Sequence, residues 1–275
     1  MVDPTVYRPR LQVGAIVARS FRLALDNVAL LLPITIVAEA LRQAIDWAMN
    51  GENPMLILPA GDLKEKYDPI GPLLELPHDF VAAIETAAIV WIAYSMLARR
   101  PTSFRDAAAA VGRSIVPILL IDLAGNALSA GGDMIRQAMT AFPAAGLVFV
   151  VWVPLSVYLT LCWWVAAPAA IIEGRNTIGA FRRSTELTRG HRAAIVGIAI
   201  VVALCFLVPA GLLWFASGVG FPPHADIARL SPIGLAATLL ELAISMVIGT
   251  STAAIYADLR VFKDGAASPP TYVFA

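Results

Sequence analysis

The chain has 275 residues, of which 59% are hydrophobic and 15% are charged, whereas soluble domains are about 45–50% apolar and about 25% charged. This composition excludes an ordinary soluble domain and predicts an all-α protein that is embedded in a membrane. Twenty basic residues balance twenty acidic ones, so the chain lacks the basic excess that marks nucleic-acid-binding proteins, and we expect no nucleic-acid partner.

Six apolar segments follow one another along the chain. Residues 137–172 and 193–225 contain no Asp, Glu, Lys or Arg, and each run exceeds the roughly 20 residues that a helix needs to cross a bilayer. Four further segments are rich in Leu, Ile, Val and Ala but contain one or more ionisable residues. The sequence therefore predicts a polytopic membrane protein with six transmembrane helices, arranged as three hairpins, over residues 28–48, 79–98, 114–131, 144–172, 193–218 and 232–257.

The third of these segments is the least regular. It contains Pro117, Asp122, Gly125 and Asn126 within a short stretch, and such residues weaken or bend a helix. Two interpretations are therefore open for this segment. It crosses the membrane as a complete helix, or it forms a re-entrant or tilted segment.

A short amphipathic helix is predicted before each odd-numbered span. Apolar residues recur at three- and four-residue spacing from Val13 to Leu25, which is typical of a helix that lies along a surface. Ser103 and Asp106 form a capping-box pattern at the start of the second such helix. Asn176 can cap the third, and Gly190 ends it. The sequence therefore predicts three structural units, each made of an interfacial helix followed by a transmembrane hairpin.

Basic residues are distributed unevenly between the two sides of the predicted membrane. Fifteen of the twenty lie in the N-terminal segment, the second and fourth connections and the C-terminal tail, four lie in the outer connections, and Arg42 lies inside a span. Basic residues favour the cytoplasmic side, so we predict that the interfacial segment 1–27 and the tail 258–275 are both cytoplasmic. We interpret residues 1–275 as a single integral membrane domain.

Several polar residues fall inside the predicted spans, where an isolated charge near the bilayer centre costs about 2.5–3.5 kcal/mol. Glu39 and Arg42 are three residues apart on one helix and can pair. We predict that one polar seam between neighbouring spans is made of Glu39, Arg42, Glu85, Asp122, Asn126 and Glu241. Two interpretations are open: the seam carries a substrate, ion or proton, or it holds the helices together.

The cytoplasmic arginines also have two interpretations, because they lie on segments that are predicted at the membrane surface. They determine the topology, or they recognise anionic lipid headgroups. The candidates for contact with anionic lipid are Arg19, Arg22, Arg182, Arg183 and Arg189.

The chain lacks the residue patterns of soluble hydrolases and ATPases. Its histidines, His78, His191 and His224, fall in predicted loops on opposite sides of the membrane, so they cannot bind one metal ion together. No His-Glu-x-x-His, Gly-x-Ser-x-Gly or Walker-type sequence is present. We therefore predict no catalytic residue, no metal site and no cofactor. Intramembrane hydrolysis of lipid by a pair of acids is the remaining enzymatic alternative.

Three segments carry a resemblance to a known family. They are Ile171-Ile172-Glu173-Gly174 with the stretch Ala180 to Gly190 that follows it, the tail Tyr256-Ala257-Asp258-Leu259-Arg260, and the opening helix from Val13-Gly14 to Asn27. In them the chain resembles the bacterial glycerophosphodiester phosphodiesterase membrane-domain family and its uncharacterised relatives. The resemblance implies a six-span module of the bacterial inner membrane. The family's separate catalytic domain has no counterpart here, so no residue is carried over as catalytic.

The residues and the resemblance together predict a multi-pass protein of the bacterial inner membrane without recognisable catalytic chemistry. We expect it to act as a lipid-associated or accessory, scaffolding module. The expected partners are membrane phospholipids, including anionic ones, and other proteins or further copies of the chain in the membrane. The alternatives are a transporter or channel that uses the polar seam and, less favoured, an intramembrane lipid hydrolase.

Overall fold

The computed structural model of the protein describes residues 11–50, 71–216 and 232–265. Residues 1–10 and 266–275 of the two predicted cytoplasmic ends, and the loop that contains His224, lie outside the described residues. The described residues form helices and no strand, so the all-α prediction is confirmed. The helices are α1 (Val13–Asp26), α2 (Val28–Asn50), α3 (Gly71–Leu97), α4 (Phe104–Arg113), α5 (Ile115–Ala141), α6 (Ala145–Trp163), α7 (Ala166–Glu173), α8 (Thr177–Thr188), α9 (Arg192–Ala216) and α10 (Pro232–Asp264).

Six segments of these helices are long and apolar enough to cross a membrane, which confirms the predicted polytopic fold. They are Val28–Ile45, Leu76–Leu97, Ile115–Ala141, Ala145–Glu173, Arg192–Leu213 and Gly234–Asp264. The irregular third segment is one continuous helix of 27 residues, which gives a length of about 40 Å at 1.5 Å per residue. It continues past position 131 to Ala141, so it has the length of a complete span.

The three short amphipathic helices α1, α4 and α8 precede the first, third and fifth spans, as the sequence predicts. At the start of α4, Ser103 Oγ accepts a hydrogen bond from Asp106 N (3.3 Å), and Asp106 Oδ2 accepts one from Ser103 N (2.9 Å). At the start of α8, Asn176 Oδ1 accepts a hydrogen bond from Gly179 N (2.8 Å). Gly190 follows α8 with a φ of 88°, a left-handed conformation that glycine adopts without strain.

Helices α3 and α10 form the centre of the described structure. The span segment of each is 56% buried, whereas the segments in α5 and in α6–α7 are 6% buried. The backbones of α3 and α10 approach closely at Gly249, where a Cβ atom would lie 2.8 Å from the Cβ of Ile89. Such close approach over small residues is a common way to pack helices in a membrane, because it increases van der Waals contact.

The fourth span, which the sequence predicts over 144–172, is broken between α6 and α7. Pro168 has no N–H and cannot donate to the carbonyl one turn earlier. The Ser184 hydroxyl of α8 occupies the break, because it accepts a hydrogen bond from Val165 N (3.2 Å) and donates one to Cys162 O (2.7 Å). Ser184 is fully buried, so these backbone groups depend on it for their hydrogen bonds.

Replacing Ser184 with alanine is expected to lower the free energy of unfolding by about 1–3 kcal/mol, because it leaves buried backbone groups without partners. The measurement is denaturant unfolding of the purified protein in detergent. Ser156→Ala is the matched control, since Ser156 Oγ donates to Val153 O within its own helix (2.9 Å), and we expect a change below about 0.5 kcal/mol. Equal losses in the two variants would show that Ser184 does not stabilise the break.

Candidate functional site

A buried polar cluster surrounds Glu173 at the predicted cytoplasmic end of the spans. The Glu173 side chain is 8% exposed, and both of its oxygens accept hydrogen bonds. Oε1 accepts from Tyr256 Oη (2.6 Å) and from Arg183 Nε (3.0 Å), and Oε2 accepts from Arg175 Nε (3.0 Å). We call this set and the residues bonded to it the Glu173 network.

The Glu173 network continues through Arg260 of α10, whose side chain is 9% exposed. Arg260 Nη1 donates to Tyr94 Oη (2.7 Å), and its Nε lies 3.7 Å from Glu173 Oε1 and 3.6 Å from Asp264 Oδ2. Arg183 also pairs with Asp264. The network therefore joins α3, α7, α8 and α10 at one end of the molecule.

Burial and neighbouring charges shift the pKa values of two groups outside the spans. Burial alone would lower the pKa of Arg183, but hydrogen bonds to Asp264 and Glu173 outweigh it and raise that pKa above its ordinary value. Burial, together with the nearby Lys263 ammonium, lowers the pKa of His191. The Arg183 guanidinium thus stays charged, while the His191 imidazole favours its neutral form at pH 7.

The five arginines that are candidates for lipid contact fall into two groups. Arg183 lies inside the Glu173 network, and Arg19 pairs with Asp258 of α10 (2.7 Å). Arg22, Arg182 and Arg189 are exposed, and none of them pairs with a carboxylate in the described part of the chain. Two of the candidates therefore connect helices, and three are available to a headgroup.

A second polar cluster lies inside the spans, between α2 and α3. Arg42 Nε donates to Glu39 Oε2 (3.1 Å), and Arg42 Nη1 donates to Glu85 Oε2 (2.7 Å). Gln43 Nε2 donates to Glu39 Oε1. The side chain of Glu85 is 2% exposed, so this carboxylate is taken fully out of solvent. The structure thus brings together three residues of the predicted seam, which we call the Arg42 triad: Glu39, Arg42 and Glu85.

A third cluster contains two other residues of the predicted seam and lies between α3 and α5. Asn126 Nδ2 donates to Asp122 Oδ2 (3.1 Å) and to Asp79 Oδ2 (2.9 Å). Asp79 and Glu85 are six residues apart on α3, which places them about 240° apart around the helix axis. The Arg42 triad and the Asn126 cluster therefore face different neighbours of α3. Glu241 is exposed on α10.

A groove beside the Arg42 triad is bounded by α2, α3 and α4 and has a volume of about 640 Å³. Among the described residues that line it, Glu85 is the one that carries a charge, and the others are apolar or glycine. Val37 and Leu41, on its rim, are 67% and 50% exposed. The groove is thus open on the side that a bilayer would cover.

The described residues contain no group of three or more His, Cys, Asp and Glu side chains that could hold a metal ion. Cys162 is buried and Cys205 is exposed, and both are free thiols. The chemistry of these clusters is therefore that of ion pairs and hydrogen bonds: carboxylates held by arginine, tyrosine and amide donors.

No pattern in the sequence identifies Glu173, Tyr256 and Arg260 as one site. Glu173 and Tyr256 are 83 positions apart, and Tyr94 and Arg260 are 166 apart, so no local pattern reports their contact. The family resemblance nevertheless gave a signal of this contact. The segments Ile171–Gly174 and Tyr256–Arg260, which carry the resemblance, meet in the Glu173 network.

In the described part of the chain, six apolar segments long enough to span a membrane, three short amphipathic helices and buried ion-pair clusters together define a multi-pass α-helical membrane protein. Residues 104–261, more than half of the chain, match the model of a family described as a domain of unknown function, DUF7847, and the chain belongs to this family. No curated protein and no solved structure matches the chain. The matched region runs from α4 into α10 and contains Glu173, Arg183 and Arg260.

Proposed function

We propose that this protein is a non-catalytic module of the bacterial inner membrane, with both termini in the cytoplasm, that associates with anionic phospholipid through its interfacial helices. The resemblance to the glycerophosphodiester phosphodiesterase membrane-domain family supports an accessory, scaffolding role of this kind. The distribution of basic residues supports the orientation.

One observation carries the proposal: exposed apolar and exposed basic side chains are neighbours on two of the interfacial helices. Leu25 is 71% exposed and lies three residues from Arg22 on α1, and Ile178 is 73% exposed and lies four residues from Arg182 on α8. Residues at these spacings share a helix face. An apolar side chain can enter the acyl boundary there while the guanidinium meets a headgroup phosphate, which is the pattern of helices that lie in a membrane interface.

Transport is the weaker proposal, because the polar residues inside the spans are divided between clusters on different sides of α3. Within the Arg42 triad, the guanidinium is already bonded to both carboxylates. Such pairing is the arrangement expected of residues that hold helices together. The Asn126 cluster likewise joins α3 to α5.

The test compares lipid retention by native mass spectrometry for the double variant Arg182→Gln/Arg189→Gln and the unaltered protein. Each basic residue near an anionic surface contributes about 1 kcal/mol, so we expect retention of phosphatidylglycerol to fall roughly 30-fold, with retention of phosphatidylcholine unchanged. Arg136→Gln is the control, because Arg136 is an exposed arginine at the opposite end of α5 from the interfacial helices and pairs with Asp133. Unchanged phosphatidylglycerol retention in the double variant would overturn the proposal.

A further inference from the structure

We propose that the groove between α2, α3 and α4 binds a lipophilic amine, whose N–H group donates a hydrogen bond to Glu85. This site is separate from the arginines of the interfacial helices and goes beyond the proposed association with phospholipid. It rests on the geometry of the Arg42 triad and on the lining of the groove.

In the described part of the chain, the buried carboxylate of Glu85 has one oxygen that lacks a hydrogen-bond donor. Its Oε2 atom accepts a hydrogen bond from Arg42, but its Oε1 atom is buried and has no hydrogen-bond partner among the described residues. A buried carboxylate oxygen without a donor is costly, and native proteins pair nearly all such atoms. Glu85 lines the groove, so binding requires its carboxylate to turn until Oε1 meets a donor on the bound molecule.

The charges of the Arg42 triad favour a cationic ligand. The Arg42 triad sets two carboxylates against a single guanidinium, and the remaining hydrogen-bonding neighbour, Gln43, is neutral. Among the described residues, one negative charge of the triad therefore has no positive partner inside the span segments, where charge is expensive. A protonated amine supplies both the missing donor and the missing positive charge, and a charge-assisted hydrogen bond is stronger than a neutral one.

The position of Glu85 along α3 determines how long the ligand must be. Glu85 precedes Tyr94 by nine residues on α3, so it lies about 14 Å along the helix axis from the Glu173 network. The groove extends from this depth to Phe104 and Gly112 of α4. A ligand therefore needs an apolar body to fill the groove as well as its polar group. The acyl tail of a bilayer lipid can fill it too, but a tail has no hydrogen-bond donor for Oε1.

The experiment measures binding of 12-carbon probes to the full-length protein in detergent by isothermal titration calorimetry. The probes are dodecylamine, dodecanol, dodecyltrimethylammonium and dodecanoate, which share a chain and differ in charge and in donor. We expect dodecylamine to bind about tenfold more tightly than dodecanol, because its hydrogen bond is charge-assisted. Dodecyltrimethylammonium, which has no N–H, should bind more weakly than the amine, and dodecanoate should bind weakest.

Two variants test the position of the site. Glu85→Gln should reduce dodecylamine binding about tenfold and reduce the difference between the amine and the alcohol. Ala108→Phe should abolish amine binding by filling the groove, because Ala108 is exposed on α4 and lines it. Ala109→Phe is the matched control, since Ala109 is exposed on the same helix and is not among the lining residues, and it should leave binding unchanged.

Three results would overturn the proposal. They are equal binding of dodecylamine and dodecanoate, equal binding of dodecylamine to the Ala108→Phe and Ala109→Phe variants, and amine binding that is unaffected in a folded Glu85→Gln protein. The comparison of Ala108→Phe with Ala109→Phe decides the question even if Glu85→Gln does not fold, because neither alanine contributes a polar group to the triad.

Discussion

Replacing Glu173 with alanine is expected to lower the free energy of unfolding by about 3–5 kcal/mol, the cost of removing one partner from a buried ion pair. The substitution leaves Arg260 buried with Asp264 as its one nearby carboxylate among the described residues, and it removes the acceptor of Tyr256 Oη. The measurement is denaturant unfolding of the purified protein in detergent, followed by circular dichroism.

Asp258→Ala is the matched control for this prediction. Asp258 also pairs with an arginine on another helix, but the side chains of Asp258 and Arg19 are 25% and 37% exposed, and exposed pairs contribute about 0–1 kcal/mol. Glu173→Gln should fall between the two variants, because the amide keeps an acceptor for Tyr256 and loses the charge. If Glu173→Ala were no more destabilising than Asp258→Ala, the Glu173 network would not stabilise the fold.

Replacing Arg42 with leucine is the second change for which we expect a loss of about 3–5 kcal/mol, because it leaves the buried Glu85 carboxylate without a positive partner. The double variant Arg42→Leu/Glu85→Leu should recover most of this loss. A buried ion pair can often be exchanged for apolar residues at little cost, and Glu39 is less deeply buried than Glu85. The same unfolding measurement applies to both variants.

The control for the Arg42 prediction is Arg136→Leu, which removes an exposed arginine from an i,i+3 pair with Asp133. We expect a change below about 1 kcal/mol for this variant. Additive losses in the double variant, with Glu85→Leu adding to the effect of Arg42→Leu, would contradict the coupling that the structure indicates.

The spans and the interfacial helices could be predicted from the sequence because their signals are local. The length of a charge-free run identifies a span, and the spacing of Ser103 and Asp106 identifies a helix start before any tertiary contact is known. The pairing of Glu39 with Arg42 was predictable for the same reason, since three residues of helix bring them to one face.

The contacts between helices could not be predicted in this way, because they depend on which faces meet. Arg183, one of the sequence candidates for lipid contact, lies in the Glu173 network, and Asp79, which no sequence pattern singles out, shares the amide of Asn126 with Asp122. The position of the break in the fourth span could not be predicted either, because the serine that stabilises it belongs to a later helix.

The dependence of the α6–α7 break on Ser184 has a consequence for biogenesis. Ser184 follows Val165 by 19 positions and Cys162 by 22, so the ribosome releases the fourth span before the helix that completes it. Until α8 docks, Val165 N and Cys162 O lack this partner, and backbone groups without a partner are costly in lipid. The break in this span therefore receives its side-chain partner only when α8 docks, late in the synthesis of the protein.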